Sequence, residues 1–498
     1  MADVKDTARL RSAELEETQM PRGDARLGRF TPLVAGEPVQ TGHSFVVPSP
    51  YDGSAIASVD RAGPAEIERA IAAAVRAFEI TRRLPTWKRA AVLEGISAAI
   101  AARRDELAQT IALEAAKPVK TARVEVDRAV FTFKVAAEET KRIHGEILSL
   151  DWLPGTEGRE GYVRRVPLGP VAGITPFNFP LNLVAHKVAP ALASGDPVII
   201  RPATQTPVSA IKLGQIAIEA GWPREGYSVV PSTTGDAAPL VEDDRIRLLS
   251  FTGSPAVGWG LKNRAGRKRI TLELGGNAAV IVHRDADIAY AAERITVGGF
   301  SYAGQSCISA QRIYVHGDVY DAFASALVAR VRALHTGDPL REDTDVGPVI
   351  DRVAAGRIEE WLEEATAAGA RILTGGTRHD TLWQPTVIEG APAHVRVNCQ
   401  EVFAPLVSLM RYEEVNEAIA ASNASEFGLQ AGIFTHDERV VHAAVEGIEA
   451  GGILVNDVSS FRIDHMPYGG VKRSGFGREG LRYAIEEMTE MKLVVYTR

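Results

Sequence analysis

IRLLSFTGSPAVGWGLKNRAGRKRITLEL, residues 246–274, is the stretch on which the fold turns. A short apolar run, IRLLSF, leads to Gly253 and Ser254, and Pro255 then opens a helix. Proline suits that position because its fixed φ and missing N–H match the first helical turn. A second apolar run, RITLEL, follows the helix. Apolar residues in these runs are consecutive instead of alternating, the mark of strands buried on both faces. Toward the N-terminus the same pattern recurs as VAGIT (171–175), PVIIR (197–201) and YSVVP (227–231), separated by the helical stretches LVAHKVAPALAS and VSAIKLGQIAIEAG. Toward the C-terminus it recurs as AAVIVH (278–283), QRIYVH (311–316), ARILTGG (370–376), APLVSLM (404–410), QAGIFT (430–435) and GGILVN (451–456). Strands alternating with helices predict parallel sheets covered on both faces.

The expected fold class is therefore α/β, with two doubly wound, Rossmann-like parallel-sheet domains of comparable size joined near Gly276. A chain of 498 residues exceeds one ordinary core, in keeping with two units. The first third reads as helix-rich: a segment opened by Gly63-Pro64, a second through AAVLEGISAAIAARRDELAQTIALEAAK that stops before Pro118, and a third from about Ala122. GEILSLDWLPGTEGREGYVRRVP (145–167) fits neither unit and reads as two strands around a Pro-Gly loop. The final KLVVYTR reads as an isolated strand in need of a partner, which another subunit or this chain would supply. These two segments make a small β oligomerisation arm.

Composition excludes several functions. With 45% hydrophobic and 24% charged residues the chain is ordinary globular protein, and a net charge of -7 argues against a basic nucleic-acid face. Two cysteines cannot build a disulfide framework or a four-thiolate metal site, and no metal site is expected. Met1–Arg26 mixes acids and bases without an apolar run, so it reads as a frayed polar extension, not a secretory or transit signal. No apolar stretch approaches membrane-spanning length, and a cytoplasmic enzyme is expected.

Three positions carry chemistry. Cys307, in FSYAGQSCISAQR, has Gly304, Ser306 and Ser309 around it, small residues that leave room for a substrate; Cys399 lacks that setting and reads as structural. Glu273 ends an apolar strand between Leu272 and Leu274, where a carboxylate is costly to bury without a partner or a task. A Cys nucleophile with a Glu base suits thioester formation and hydrolysis. Gly253 and Ser254 lie where a helix N-terminus presents free N–H groups to a phosphate. Their G-x-x-x-x-G spacing matches neither the three-glycine dinucleotide fingerprint nor the nucleotide-triphosphate loop.

GITPFNFPLNL, RPATQTP, FTGSPAVG, LELGGNAA, GQSCISAQR, EVFAP and MPYGGVKRSGFGREG occur in one order along the chain. Together they resemble the aldehyde dehydrogenase superfamily from about Phe30 onward, closest to its lactaldehyde dehydrogenase-like and non-phosphorylating glyceraldehyde-3-phosphate dehydrogenase-like branch. The resemblance implies that 1–143 with 166–276 bind NAD(P), that 277–472 carry the catalytic thiol, and that 144–165 with 482–498 form the arm. It implies that Cys307 attacks the aldehyde, that Asn178 and the Cys307 backbone N–H hold the oxyanion, and that Glu273 activates the deacylating water. It places Ile174, Thr175, Pro176, Phe177, Arg201, Ala203, Thr204, Gly253, Ser254, Leu274, Gly275, Glu401 and Phe403 at the cofactor. Retention of Glu273 favours a free acid over transfer to coenzyme A, and retention of all three catalytic residues disfavours a silent structural homologue.

Two departures from the family pattern matter. Arg201-Pro202-Ala203-Thr204 stands where the family usually has Lys-Pro-Ser-Glu. Loss of the acid removes repulsion of a 2′-phosphate, so NADP is expected to be accepted, with NAD use left open. Arg128, Phe179, Phe461, Arg462 and His465 match substrate-tunnel positions. The two arginines would grip a small hydroxylated or anionic aldehyde, with structural ion pairs as the competing reading. The resemblance also implies a homodimer or homotetramer.

Overall fold

The computed structural model describes residues 25–498. The polar extension Met1–Arg26 therefore lies almost wholly outside the described residues. The first large sheet has eight strands, in the order Gly475–Phe476, Arg269–Glu273, Leu248–Thr252, Val171–Ile174, Val198–Arg201, Tyr227–Val229, Leu33–Val34 and Glu37–Pro38. Its middle five strands are parallel, and antiparallel strands close both edges. From Val171–Ile174 the chain builds outward through Val198–Arg201 to Tyr227–Val229. It then returns to the other side with Leu248–Thr252. That reversal creates a crevice beyond the carboxyl ends of the strands, where open α/β sheets bind ligands. The residues leaving it are Thr175–Asn178 and Gly253-Ser254.

The second sheet has seven strands, in the order Arg371–Thr374, Thr386–Glu389, Leu406–Tyr412, Ala310–His316, Ala278–Val282, Gln430–Phe434 and Gly452–Val455. Only Arg371–Thr374 runs antiparallel to its neighbour. Successive residues of each strand feed opposite cores, as a pleat of period two requires. In the first sheet Val198 and Ile200 face one apolar cluster and Ile199 the other; in the second, Val280 and Val282 oppose Ala279 and Ile281. Strand Arg269–Glu273 ends in the first sheet and Ala278–Val282 begins the second. Residues 274–277 thus cross from the carboxyl edge of one sheet to the amino edge of the other.

The structure corrects two local readings and completes two others. The long second helix is two, Thr86–Ala102 and Arg104–Ala115, broken at Arg103, which adopts φ -105 and ψ 23. The first third is not only helical: Gly28–Phe30, Ser44–Pro48 and Ala55–Asp60 form a three-stranded sheet. The terminal strand Thr489–Thr497 is not isolated, because it pairs antiparallel with Arg159–Pro167 along its whole length, with Glu146–Ser149 on the other side. Residues 482–498 are not all arm either: helix Leu481–Glu487 sends Leu481 and Ile485 into the core beneath the first sheet.

Candidate active site

Cys307 sits three residues before strand Ala310–His316, on a backbone bent by local strain. Tyr302 and Ala303 adopt φ 51 and 52, a left-handed conformation that costs a non-glycine residue about 1–2 kcal/mol each. Gly304 follows at φ +66, and a Cβ there would lie 2.1 Å from the Ala404 carbonyl oxygen. The bend is pinned from outside: the Tyr302 hydroxyl donates to the Ala115 carbonyl at 2.9 Å, and the Ile350 N–H donates to Gln305 Oε1 at 2.9 Å. Asn178, buried beyond strand Val171–Ile174, donates through Nδ2 to the Gln305 carbonyl at 3.0 Å. An amide NH2 carries two hydrogens, so one remains after that bond. Cys307 as a residue is partly buried, and its Sγ lies 3.0 Å from the Tyr468 hydroxyl. Burial pushes its thiol up to about 12, against the lowering effect of the Tyr468 hydrogen bond.

Glu273 is buried, and among the described residues neither carboxyl oxygen has a hydrogen-bond partner. Burial, and then the neighbouring Glu479 charge, raise its pKa well above the ordinary carboxylate range. Glu479 has the opposite setting. Burial works to raise it, but Lys187 and Arg462 overcome that and hold it at about 2. Lys187 Nζ donates to Ser250 Oγ, Thr252 Oγ1 and Glu479 Oε1 at 3.1, 2.7 and 3.4 Å, and Arg462 donates to Glu479 Oε2 at 3.0 Å. Two carboxyls driven apart in this way are suited to separate roles, one as a fixed charge and the other as a proton acceptor.

Close approaches bring thiol and carboxyl together. A Cβ on Gly276 would fall 2.0 Å from the Cys307 carbonyl oxygen, and one on Gly469 would fall 3.0 Å from Glu273 Oε1. The dipeptide Tyr468-Gly469 therefore touches Cys307 with its first residue and Glu273 with its second. Glu401 accepts from the Gly276 N–H at 2.9 Å, and a Cβ on Gly275 would meet its other oxygen at 2.5 Å. Burial raises the Glu401 carboxyl to about 7. Phe403, at φ 51, stacks edge-on against Phe177 with centroids 5.9 Å apart. Glu401, Phe403, Gly276, Gly304 and Ser306 line a cleft with about 210 Å³ of empty space.

At the crevice, Ser254 caps helix Pro255–Arg264 without a side-chain hydrogen bond, so no serine oxygen occupies the first-turn N–H groups. Gly258 permits the helix to lie against Leu274, since a Cβ there would be 2.4 Å from Leu274 Cδ2. Arg201 ends its strand and donates to the Ser232 carbonyl at 3.1 Å; Ala203 and Thr204 follow in the turn, partly exposed. Thr175 donates through its N–H to the Arg201 carbonyl at 3.1 Å, tying Ile174, Pro176 and Phe177 to the neighbouring strand end.

Both arginines assigned to substrate make ion pairs. Arg128 donates to Asp464 at 2.6 Å, and its side chain remains 25% exposed. Arg462 is only 6% exposed and pairs with Glu479. Asp464 also receives Asn182 Nδ2 at 3.2 Å and contacts His186 Nε2 at 2.8 Å, so the 460s loop is anchored to helix Asn182–Ser194. Phe179 lies under the Lys117 ammonium, 3.6 Å from the ring centroid, while Phe461 and His465 are exposed. The residue-by-residue reading passed over Tyr468, Glu479, Lys187 and Lys117. Lys187 had a visible signal, a charge inside the otherwise apolar LVAHKVAPALAS, a position that charged residues occupy only when paired.

Two largely parallel sheets are thus joined through a crossing at which a thiol, an amide and an orphaned carboxyl meet. The model of the aldehyde dehydrogenase family matches residues 38–494, and the chain belongs to that family. It is an NAD(P)-dependent aldehyde dehydrogenase. It is 43% identical over 466 residues to the 3-sulfolactaldehyde dehydrogenase of Priestia aryabhattai, covering 93% of this chain and 97% of the relative. Among solved structures, aldehyde dehydrogenase 21 of Physcomitrella patens, in complex with the reaction product succinate, superposes with a TM-score of 0.93 at 43% identity, covering 94% of this chain and 98% of the other. The glyceraldehyde-3-phosphate dehydrogenase of Methanocaldococcus jannaschii, complexed with NADP, gives 0.88 at 38% identity, covering 91% and 99%. Among the described residues, no helix is long and apolar enough to cross a membrane.

Proposed function

We propose that this enzyme oxidises a small anionic aldehyde to its carboxylic acid through a covalent adduct on Cys307, and that it accepts NADP. The observation that carries this reading is the convergence of Cys307, the half-free Asn178 amide and the partnerless Glu273 at one crossing between the sheets. Cys307 Sγ, as thiolate, adds to the aldehyde carbon, and the former carbonyl oxygen becomes an oxyanion. The second Asn178 hydrogen and the Cys307 N–H are the donors for it, and one such donor contributes about 3–4 kcal/mol to the barrier reduction. The nicotinamide, when bound, supplies the two-electron acceptor that converts the adduct to a thioester. Glu273 then takes a proton from water, which attacks the thioester carbon and frees the acid and the thiol.

The residues present fit such a cofactor. Ser254 leaves the first turn of helix Pro255–Arg264 open to a phosphate, and Gly275, having no Cβ, lets the Glu401 carboxylate close onto the crossing. Thr204 brings no negative charge to a 2′-phosphate. For the substrate, Arg128 is the partly exposed cation, and the relatives above bear names of anionic aldehydes or an anionic product. Steady-state kinetics followed at the reduced-nicotinamide band test both parts. A kcat/KM no worse with NADP than with NAD is expected. Arg128→Leu should raise KM for an anionic aldehyde roughly ten- to hundredfold, the loss of one charged hydrogen bond, while sparing a neutral one. A strong NAD preference overturns the cofactor reading; equal losses on both aldehydes overturn the anionic one.

The exposed arm residues Ile147, Trp152, Leu153, Met491, Leu493 and Val495 suit burial against a second copy of the chain, which supports a homo-oligomer.

A further inference from the structure

The contact between Cys307 Sγ and the Tyr468 hydroxyl has a direction that depends on protonation. In the resting thiol either atom can donate across the 3.0 Å separation. Once the thiol loses its proton, only the tyrosine O–H can donate, and a hydrogen bond to an ionised acceptor is roughly twice as strong as a neutral one. Such a bond stabilises the thiolate more than the thiol.

Everything around Tyr468 fixes it in this role. Its backbone makes a two-way bridge with Glu479, the Tyr468 N–H donating at 3.0 Å and the Glu479 N–H returning at 2.6 Å. The Arg462 guanidinium lies over its ring, 3.6 Å from the centroid, and is itself held by the Glu479 side chain. A cation over the ring face withdraws electron density, which makes the phenol a better donor. Tyr468 is 2% exposed, so water does not compete for the hydroxyl. The other ionisable groups facing the thiol are Glu401 and Glu273, which oppose the thiolate, and Arg462, which favours it. Among the described residues, Tyr468 is the group whose hydroxyl lies within hydrogen-bond distance of the sulfur.

We propose that Tyr468 is a further catalytic residue: its hydroxyl donates to the Cys307 thiolate and so favours formation of the nucleophile. The proposal rests on the reading of Cys307 as nucleophile, but its test does not require turnover. In a Cys399→Ser background, the pH dependence of alkylation by iodoacetamide reports the ionisation of Cys307 alone. Tyr468→Phe, which removes one oxygen and keeps the ring, should shift that profile about one unit higher, a tenfold loss of alkylation rate below the midpoint. The comparison is read on the rising limb, where the loss should be the same at each pH, since the intrinsic reactivity of the thiolate and its access are kept. A superimposable profile overturns the proposal. Should the Phe variant fold poorly, fluorotyrosine at Tyr468 supplies a stronger donor of nearly the same shape, and the midpoint should move lower; an unmoved or raised midpoint overturns the proposal. Activity that survives complete alkylation of Cys307 would instead refute the nucleophile reading, so the two failures are distinguishable.

Discussion

Glu273 and Glu479 show how single residues acquire opposite characters from their neighbours. Glu479 is held by Lys187 and Arg462, whereas Glu273 has no hydrogen-bond partner and is raised by burial. A raised carboxyl holds its proton to higher pH, so the base form of Glu273 fills only as pH climbs through that raised value. Turnover limited by deacylation should therefore rise with pH along an acid limb in a kcat profile. Glu273→Gln should erase that limb and lower kcat by roughly 10²–10⁴, the usual contribution of a positioned base. A variant that keeps the limb would assign it to another group. At this scale the sequence was informative where chemistry demands an unusual residue: Cys307 and Glu273 stand out in their motifs, whereas Asn178 is reached only through the family resemblance. Tyr468 did not stand out, because a tyrosine beside Gly469-Gly470 looks like packing until its hydroxyl is seen on sulfur.

Elements were legible where burial imposed a pattern. The strands from Val171 to Val455 read as apolar runs because both faces of each sheet are covered. Strand Gly28–Phe30 has no fully buried position, and Ser44–Pro48 and Ala55–Asp60 interleave buried with half-buried residues, so none reads as the unbroken apolar run that marks the central strands. The kink at Arg103 was hidden because Ala-rich sequence continues helical spacing across it. The arm is the element with the most exposed apolar surface. Met491, Leu493 and Val495 are 64%, 53% and 46% exposed at every second position of one strand. Leu493→Asp with Val495→Asp should yield a smaller species in sedimentation velocity and a lower unfolding midpoint. A particle of unchanged size would place the subunit contact elsewhere.

At the scale of the molecule, the proposed functional centre belongs to neither sheet alone. Residues 274–277 leave the carboxyl edge of the first sheet at Glu273 and enter the amino edge of the second beside Cys307, while Asn178 and Tyr468 close on them from two other directions. That convergence was legible in the order of the motifs but not in their distances, because strand order is a long-range property that local pattern does not encode. The same separation explains the arginines: Arg128 and Asp464 are far apart in sequence, so their pairing appears only in the fold. The central claim is that aldehyde oxidation passes through an acyl group on Cys307 that Glu273 helps water to remove. It is tested most directly by incubating Glu273→Gln with NADP and an anionic aldehyde, quenching in acid, and weighing the Cys307 peptide by mass spectrometry. The account predicts that the substrate's acyl group replaces the thiol hydrogen, with about one reduced cofactor formed per site in a rapid burst. An unmodified Cys307 peptide in an enzyme that still turns over would contradict it.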